Sequence, residues 1–565
     1  MVFKTREEEI AYELKRIETQ FGNCTAPIVA EGEELEELML PMPDGVKLRT
    51  LIYSPAGFAG KPCPAVVVRT CYPKNDAVFR ATAREYSRRG FRYIIQYCRG
   101  TGGSEGEWEP NVNERADGKA TIDWVCARPD ISAVGCAGNS YLALTGWVIA
   151  DIVPEKVKTM YLTHYGMFRH VSAFQDGLFR HDVLTAWAME NTGFPVDADY
   201  LESCRYRPHV EVDEALWGHR VDWYRKWITS CDEDDAYWNT GMWGAFKTIP
   251  ENVKIPLYIG EGWYDHHLGS AIETYKHLSP ECRAHSTFLI GAWDHNFNVA
   301  LDGRPGEHFE NDDILRCFNW LYDILVKGET PSCKISSYII GDDSWHQRSS
   351  YEIPDQKTRR FYLTGSAEKV NHLTEAPDTP QGAVHYTYDP EDPVATYGAE
   401  SCLHSKELRG SLRQQKAGFR DDVRSFISEP LAAPFTTMGA LSVVLNVASD
   451  AEDTAFAVKV IEEMPDGTAY HVRSSITTLG YRNHRPKRIT YQPGEKVSIE
   501  IKMWDLAWKF QQGSRIRVDV TSSDFPEYAV HSNYPGCWAE VRQSKPAQQT
   551  VFVGGSDSYV EFPLL

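Results

Sequence analysis

Between residues 63 and 150 the chain alternates short apolar, β-branched runs with segments of helical periodicity, and this alternation constrains the fold more than any other feature. PAVVVRT (64–70) and FRYIIQY (91–97) read as strands buried on both faces, and AVFRATAREYSRRG (77–90) between them has helical spacing and ends at glycine. NERADGKATIDWVCARPD (113–130) predicts a second amphipathic helix, AVGCAG (133–138) a strand and YLALTGWVIADIV (141–153) a helix. Strands that alternate with helices imply a doubly wound parallel sheet, and such sheets carry their sites at the carboxyl ends of the strands.

The pattern breaks at about residue 166. From there to 248 the sequence is aromatic-rich and largely helical, and sheet logic resumes with IPLYIG (255–260) and STFLIGAW (286–293) around the helical LGSAIETYKHL (268–278). Residues 166–248 therefore predict a helical cap inserted into an α/β domain of residues 36–165 and 249–354, after a charged helical extension over 1–35. From 355 to 565 helical periodicity is scarce, and alternating runs such as GALSVVLNVAS (439–449) and SRIRVDVTSSD (514–524) predict a β-sandwich or jelly roll. A chain of 565 residues is long enough for several such cores.

Two serines compete for the role of nucleophile. Ser104 sits in GGSEG, the literal G-x-S-x-G match, but glycine and proline around it preclude an immediate helix. Ser140, in VGCAGNSYLALTGW, lies between a buried strand and a helix, the setting that lifts a nucleophile above a sheet. Its segment lacks the second glycine, for Leu142 and Ala143 follow two and three residues on. A serine needs a base, and the order Ser, acid, His is met by Asp265 just past IPLYIG and His295 just past STFLIGAW. An alternative use of the same residues is a metal site built from Asp265, His266, His267, Asp294 and His295, although no fixed ligand motif such as HExxH is present. A third reading is a binding protein without catalysis.

The net charge of −20 argues against nucleic acid or an anionic membrane as partner. No run approaches a membrane span, and the start MVFKTREEEIAYELKRIETQ is not a secretory signal. Thirteen scattered cysteines indicate neither a disulfide framework nor a zinc site, so reduced thiols in a cytoplasm are the simpler reading, and the glycosylation-acceptor match NCT at Asn23 means little without secretion.

MLPMPDGVKLRTLIYSP (39–55), CRGTGGSEGEW (98–108), GNSYLALTGW (138–147), GWYDHHL (262–268) and AWDH (292–295), in this order, resemble the serine hydrolases that include cocaine esterase, X-prolyl dipeptidyl-peptidase and α-amino-acid ester hydrolase. The resemblance implies an α/β-hydrolase core, a helical cap and a C-terminal jelly roll of galactose-binding type, with no cofactor and no metal. Carried over by position, it implies Ser140 as nucleophile, Asp265 as acid and His295 as base, with the Tyr72 hydroxyl and the Tyr141 amide as oxyanion donors. It departs at Ala143, where the family has glycine, and at Tyr97-Cys98-Arg99-Gly100, where it has Asp-Val-Arg-Gly. Phe168, Phe174, Phe179 and Trp187 are candidates for an apolar substrate pocket, and Asp176, Asp182 and Glu190 for holding a substrate ammonium. The expected partner is a small ester, an amide or a short peptide, and homo-oligomerisation stays open.

Overall fold

The computed structural model describes residues 5–302, 312–377, 379–400 and 404–565. A ten-stranded sheet organises the first part of the chain. Its strands are β1 (Glu33–Pro41), β2 (Lys47–Pro55), β3 (Cys63–Thr70), β4 (Arg92–Tyr97), β5 (Ile131–Asn139), β6 (Val157–Thr163), β7 (Leu257–Tyr264), β8 (Thr287–Asp294), β9 (Lys334–Ile339) and β10 (Ser344–Arg348). They lie in the order β1-β2-β4-β3-β5-β6-β7-β8-β9-β10. The pairings from β4 through β9 are parallel, while the β1–β2 hairpin and β10 are antiparallel edges. Every residue of β4, β7 and β8 is buried, as expected of predominantly apolar strands covered on both faces.

Helices α1 (Arg6–Gly22), α2 (Asp76–Arg88), α3 (Glu114–Ala127) and α4 (Tyr141–Trp147) precede the cap, which includes α5 (His181–Glu190) and α6 (Asp222–Thr229). After it come α7 (Leu268–His277) and α8 (Asp313–Leu325). The fold is an α/β-hydrolase core followed by an all-β domain. Among the described residues that second domain holds eleven mutually paired strands, the longest being Phe435–Ser449 and Val497–Phe510, which pair antiparallel with a bulge between Ala440 and Ser442.

The β domain grips both core and cap. The Arg473 guanidinium donates to the Trp263 carbonyl at 2.6 Å, and Arg180 of the cap lies 3.7 Å from the centre of the Trp504 ring. A β-carbon on Gly269 would come within 2.3 Å of Trp504 Nε1, so α7 can approach only because that position is glycine. The thiols of Cys231 in the cap and Cys537 in the β domain stand 2.9 Å apart. Among the described residues no helix is long and apolar enough to cross a membrane.

Candidate active site

Ser140 occupies the junction of β5 and α4 with φ 58° and ψ −127°, a conformation that costs energy for a side-chain-bearing residue and is held by what surrounds it. Its amide donates to the Thr163 carbonyl of β6 at 3.0 Å, and its carbonyl accepts the first bond of α4 from Leu144. The turn is tight against Gly138, where a β-carbon would lie 2.2 Å from the Leu142 carbonyl carbon and 2.5 Å from the Ala143 nitrogen. The first glycine of the turn is therefore sterically required, and Leu142 is accommodated where a second would stand. Ala143 is fully buried without crowding this turn, and Leu142 lies on the floor of the cavity above it.

Asp265 and His295 follow β7 and β8, adjacent parallel strands, and their loops meet above Ser140. His295 Nε2 lies 2.8 Å from Ser140 Oγ, and His295 Nδ1 lies 2.5 Å from Asp265 Oδ2. The other carboxylate oxygen of Asp265 accepts from the His267 amide at 2.6 Å. Burial works against ionisation of Asp265, but the imidazoles of His295, His266 and His164 outweigh it and hold the carboxyl well below its ordinary range. Ser104 is elsewhere: its hydroxyl donates to the Tyr97 carbonyl and accepts from the Arg49 amide, which fixes a glycine-rich loop at the sheet edge.

Tyr141 opens α4, so its amide has no acceptor within the helix, and its hydroxyl is tied to Glu114 and the Asn111 amide in a buried network anchored by Arg69. Tyr72 follows β3 and accepts the Trp187 indole N–H at 3.0 Å. Burial, with the neighbouring Cys71, pushes the Tyr72 hydroxyl well above its usual range, so it stays protonated. Tyr97-Cys98-Arg99-Gly100 is absorbed structurally: Tyr97 donates to Asp76 at 2.6 Å, and Arg99 forms a two-pronged pair with Asp117.

A cavity of about 660 Å³ opens above Ser140 and His295, within the range of small-molecule sites. Trp187 lines it, with Tyr72, Tyr165, Trp227, Val183 and Leu184. Trp187 stacks between Tyr141 and Trp227, at 6.2 and 5.7 Å. The other three aromatics predicted for the pocket lie off its wall. Phe179 is buried against Trp538 of the β domain, Phe174 stacks on His170 inside the cap, and Phe168 packs on His277 of α7. Asp176 pairs with His484, and Asp182 accepts from Tyr200 and from the amides of His404 and Ser405, so neither faces a substrate. Glu190 is on the cavity but bonded to Lys74.

The five-residue metal constellation does not assemble. Asp294 turns to Arg409 at 3.0 Å and caps its own loop, while His267 Nδ1 meets Ser172 at 3.1 Å. Asp265, His266 and His295 do bring donor atoms within 4.8 Å of one another, but Asp265 and both ring nitrogens of His295 are engaged in the chain to Ser140.

Behind Asp265 lie two groups that sequence reasoning missed. His164, at φ 53° after β6, bonds through Nδ1 to Asn139 Oδ1 at 2.8 Å, and burial lowers its pKa to about 3. Glu261, fully buried in β7, lies with His164 and Asp265 in a cluster whose donor atoms are within 4.8 Å. Burial and the Asp265 charge push Glu261 well above its usual range, the opposite direction to Asp265. A lone glutamate inside the apolar strand LYIGEGWY was the available signal. His266, on the cavity wall with its ring tilted 39° to that of His295 at 4.4 Å, gave none beyond adjacency to Asp265.

An α/β-hydrolase core with serine, imidazole and carboxylate in line is the scaffold of a serine hydrolase. The profile described as X-Pro dipeptidyl-peptidase (S15 family) matches residues 44–296, and that of the X-Pro dipeptidyl-peptidase C-terminal non-catalytic domain matches residues 326–561. The chain is 27% identical over 540 residues to a cocaine esterase of Rhodococcus sp. (strain MB1 Bresler), a match covering 88% of this chain and 92% of that protein. The structure of an aminopeptidase from a marine-sediment Thaumarchaeota archaeon superposes with a TM-score of 0.79 at 20% identity, over 96% of this chain and 98% of the other. That of an α-amino-acid ester hydrolase gives 0.79 at 21%, with the same coverage. The two matched segments, residues 44–296 and 326–561, are the catalytic and C-terminal parts of the X-Pro dipeptidyl-peptidase (S15) family of serine hydrolases, and the chain is similar to cocaine esterase along most of its length.

Proposed function

We propose that the protein hydrolyses a small ester or amide through an acyl-enzyme on Ser140. The observation that carries this reading is the continuous chain Ser140 Oγ, His295 Nε2, His295 Nδ1, Asp265 Oδ2, at 2.8 and 2.5 Å. His295 takes the serine proton as Oγ attacks the carbonyl, and Asp265 holds the imidazole in the tautomer that can accept it. The Tyr72 hydroxyl and the Tyr141 amide receive the oxyanion, His295 then protonates the leaving group, and water repeats the sequence to release the acid.

An esterase or acylase fits the cavity better than an aminopeptidase. Among the described residues the acidic side chains on the cavity are Glu9, Glu13, Glu190 and Asp313, and each is ion-paired, with Arg6, Arg16, Lys74 and Arg16 respectively. A substrate ammonium would have to displace a cation already in place. The aromatic wall suits an apolar acyl or alcohol group instead. We read the β domain as a jelly roll of galactose-binding type that supports the cap, and the described cysteines, all free thiols, fit a cytoplasmic setting.

Labelling with a fluorophosphonate, with the modified peptide mapped by mass spectrometry, tests the assignment. Modification at Ser140 in the native chain and none in Ser140→Ala is the expected result. Modification at Ser104, or hydrolysis that survives in Ser140→Ala and disappears with a chelator, would overturn it.

A further inference from the structure

Helix α1 departs from the ordinary pattern of a surface helix. The positions it turns toward the protein include Arg6, Glu9, Ile10, Glu13, Arg16, Ile17, Gln20 and Phe21, spaced three and four apart along one stripe. Toward the C-terminal end this stripe is a conventional anchor. Ile17 and Phe21 are buried, and the Phe21 ring stands edge-on to Phe318 at 5.4 Å and to Tyr86 at 6.0 Å. Toward the N-terminal end the same stripe is charged. A face that looks inward yet carries arginine and glutamate cannot be covering a hydrophobic core, because unsolvated charges there would be prohibitively costly.

What it covers is the mouth of the cavity above Ser140, which Arg6, Glu9, Ile10, Tyr12, Glu13 and Arg16 all line. The helix is fixed there on several sides. Arg6 bonds to Asn75 ahead of α2, and Arg16 bonds to Asp313 at the start of α8. Gln20 reaches both the Asp313 carboxylate at 3.2 Å and the Leu315 amide at 3.0 Å, and Glu9 stands 3.9 Å from Lys406 of the β domain. The charges pair within the stripe, Arg6 with Glu9 at 2.5 Å and Arg16 with Glu13 at 2.8 Å, so no net charge is presented to an ionic group. Residues 6–22 lie outside both segments matched by the family profiles, which begin at residue 44.

We propose that α1 is the outer wall of the substrate cavity and that its charged inner stripe sets the substrate class, admitting small uncharged esters or amides and excluding long acyl chains and polypeptides. The proposal rests on the reading of Ser140 as nucleophile. The two walls divide the work: the apolar group of the substrate lies on Tyr72, Tyr165, Trp187 and Trp227, and its far end meets α1, which stops it.

The test compares the full chain with two variants that move the wall in opposite directions. A truncation lacking residues 1–12 removes most of the cavity-facing turns but keeps Arg16, Ile17, Gln20 and Phe21. Ile10→Trp removes no anchor and fills the mouth, so it carries the test should the truncated chain prove unstable. The readouts are the rates at which a methyl-sized and a decyl fluorophosphonate label Ser140, and kcat and KM for p-nitrophenyl acetate and decanoate. Truncation should raise the long-to-short ratio about tenfold, through KM of the long substrate, and Ile10→Trp should lower it by a comparable factor. Ratios within about twofold of the full chain in both variants, with Ser140 labelled normally, would overturn the wall while leaving the nucleophile intact. Absence of Ser140 labelling by either probe in the full chain would overturn both.

Discussion

Replacing Asp265 by asparagine removes one charge and almost no volume, and the hydrogen bonds around the carboxylate determine the effect on catalysis. The carboxylate serves two donors at once, the His267 amide at 2.6 Å through Oδ1 and His295 Nδ1 at 2.5 Å through Oδ2. Asparagine has a single acceptor oxygen to offer them. If it faces the His267 amide, the NH₂ group faces Nδ1 and forces the tautomer protonated at Nε2, which donates toward Ser140 and cannot accept its proton. The opposite rotamer sets NH₂ against the His267 N–H and leaves a buried donor unsatisfied, a penalty of about 1–3 kcal/mol, which biases the side chain roughly 5- to 150-fold toward the unproductive arrangement. The charge that would steady the imidazolium is lost as well. Together these predict a fall in kcat of about 10⁴-fold for p-nitrophenyl acetate, with slowed fluorophosphonate labelling of Ser140 and an unchanged near-ultraviolet circular dichroism spectrum. A folded variant that loses less than about tenfold would show that Asp265 does not set the tautomer of His295.

Tyr72→Phe deletes the hydroxyl proposed as one oxyanion donor and should lower kcat by about 10²- to 10³-fold with little change in KM, measured by steady-state kinetics on an acetate ester. Gly138→Ala drives a methyl to within 2.2 Å of the Leu142 backbone, so labelling of Ser140 should be abolished or the melting temperature should fall, and a variant normal in both respects would contradict the elbow. Glu261→Gln substitutes a permanently neutral group for one whose folded pKa is raised from 4.5, a shift that withdraws stability as pH rises above the unfolded value; the variant should melt higher than the native chain at pH 7 and not at pH 4. His164, lowered from 6.5 to about 3, contributes stability above pH 6.5 that is lost as pH falls toward 3, and His266 and His267 are shifted the same way. Scanning calorimetry should therefore show the melting temperature dropping steeply below pH 6.5, with a shallower slope in a His164 variant that still folds.

The parts of this molecule that could be read from sequence are those where one periodicity decides direction. Short, mostly apolar runs rich in β-branched and aromatic residues favour strands covered on both faces, and β3, β4, β7 and β8 are largely or wholly buried runs of that kind. Because parallel strands deliver their loops to one edge, Ser140, Asp265 and His295 could be assigned to that edge without coordinates. The choice against Ser104 came from the same logic, since glycine has the freedom to form a loop but not the propensity to start a helix. In the cap the signal gives out. An aromatic-rich segment of short helices announces burial without saying against what, and Phe174 and Phe179 are as apolar as Trp187 although only Trp187 reaches the cavity. The directions of Phe179 and Trp187 are fixed by contacts with Trp538 and Tyr141, distant in sequence and on other elements, which no local pattern encodes, and Phe174 turns back onto His170 inside the cap.

Charge misleads in the opposite sense. Helix α1 reads as solvated because arginine and glutamate normally are, and Glu261 reads as an interruption in an apolar strand. In the folded chain both are turned inward, one toward a water-accessible cavity and the other toward a buried triad carboxylate. The physical reason is shared: a charged or titratable side chain survives inside only where partners or a proton neutralise it. Its presence in an inward position therefore marks the places where the protein interior is not a core. Two of those places lie above and behind Ser140. Arg6, Glu9, Glu13 and Arg16 line the cavity from outside, while Glu261 and His164 lie behind the acid. The segment that was least informative by composition thus becomes the one on which substrate choice turns, and the two variants of α1 read that choice directly.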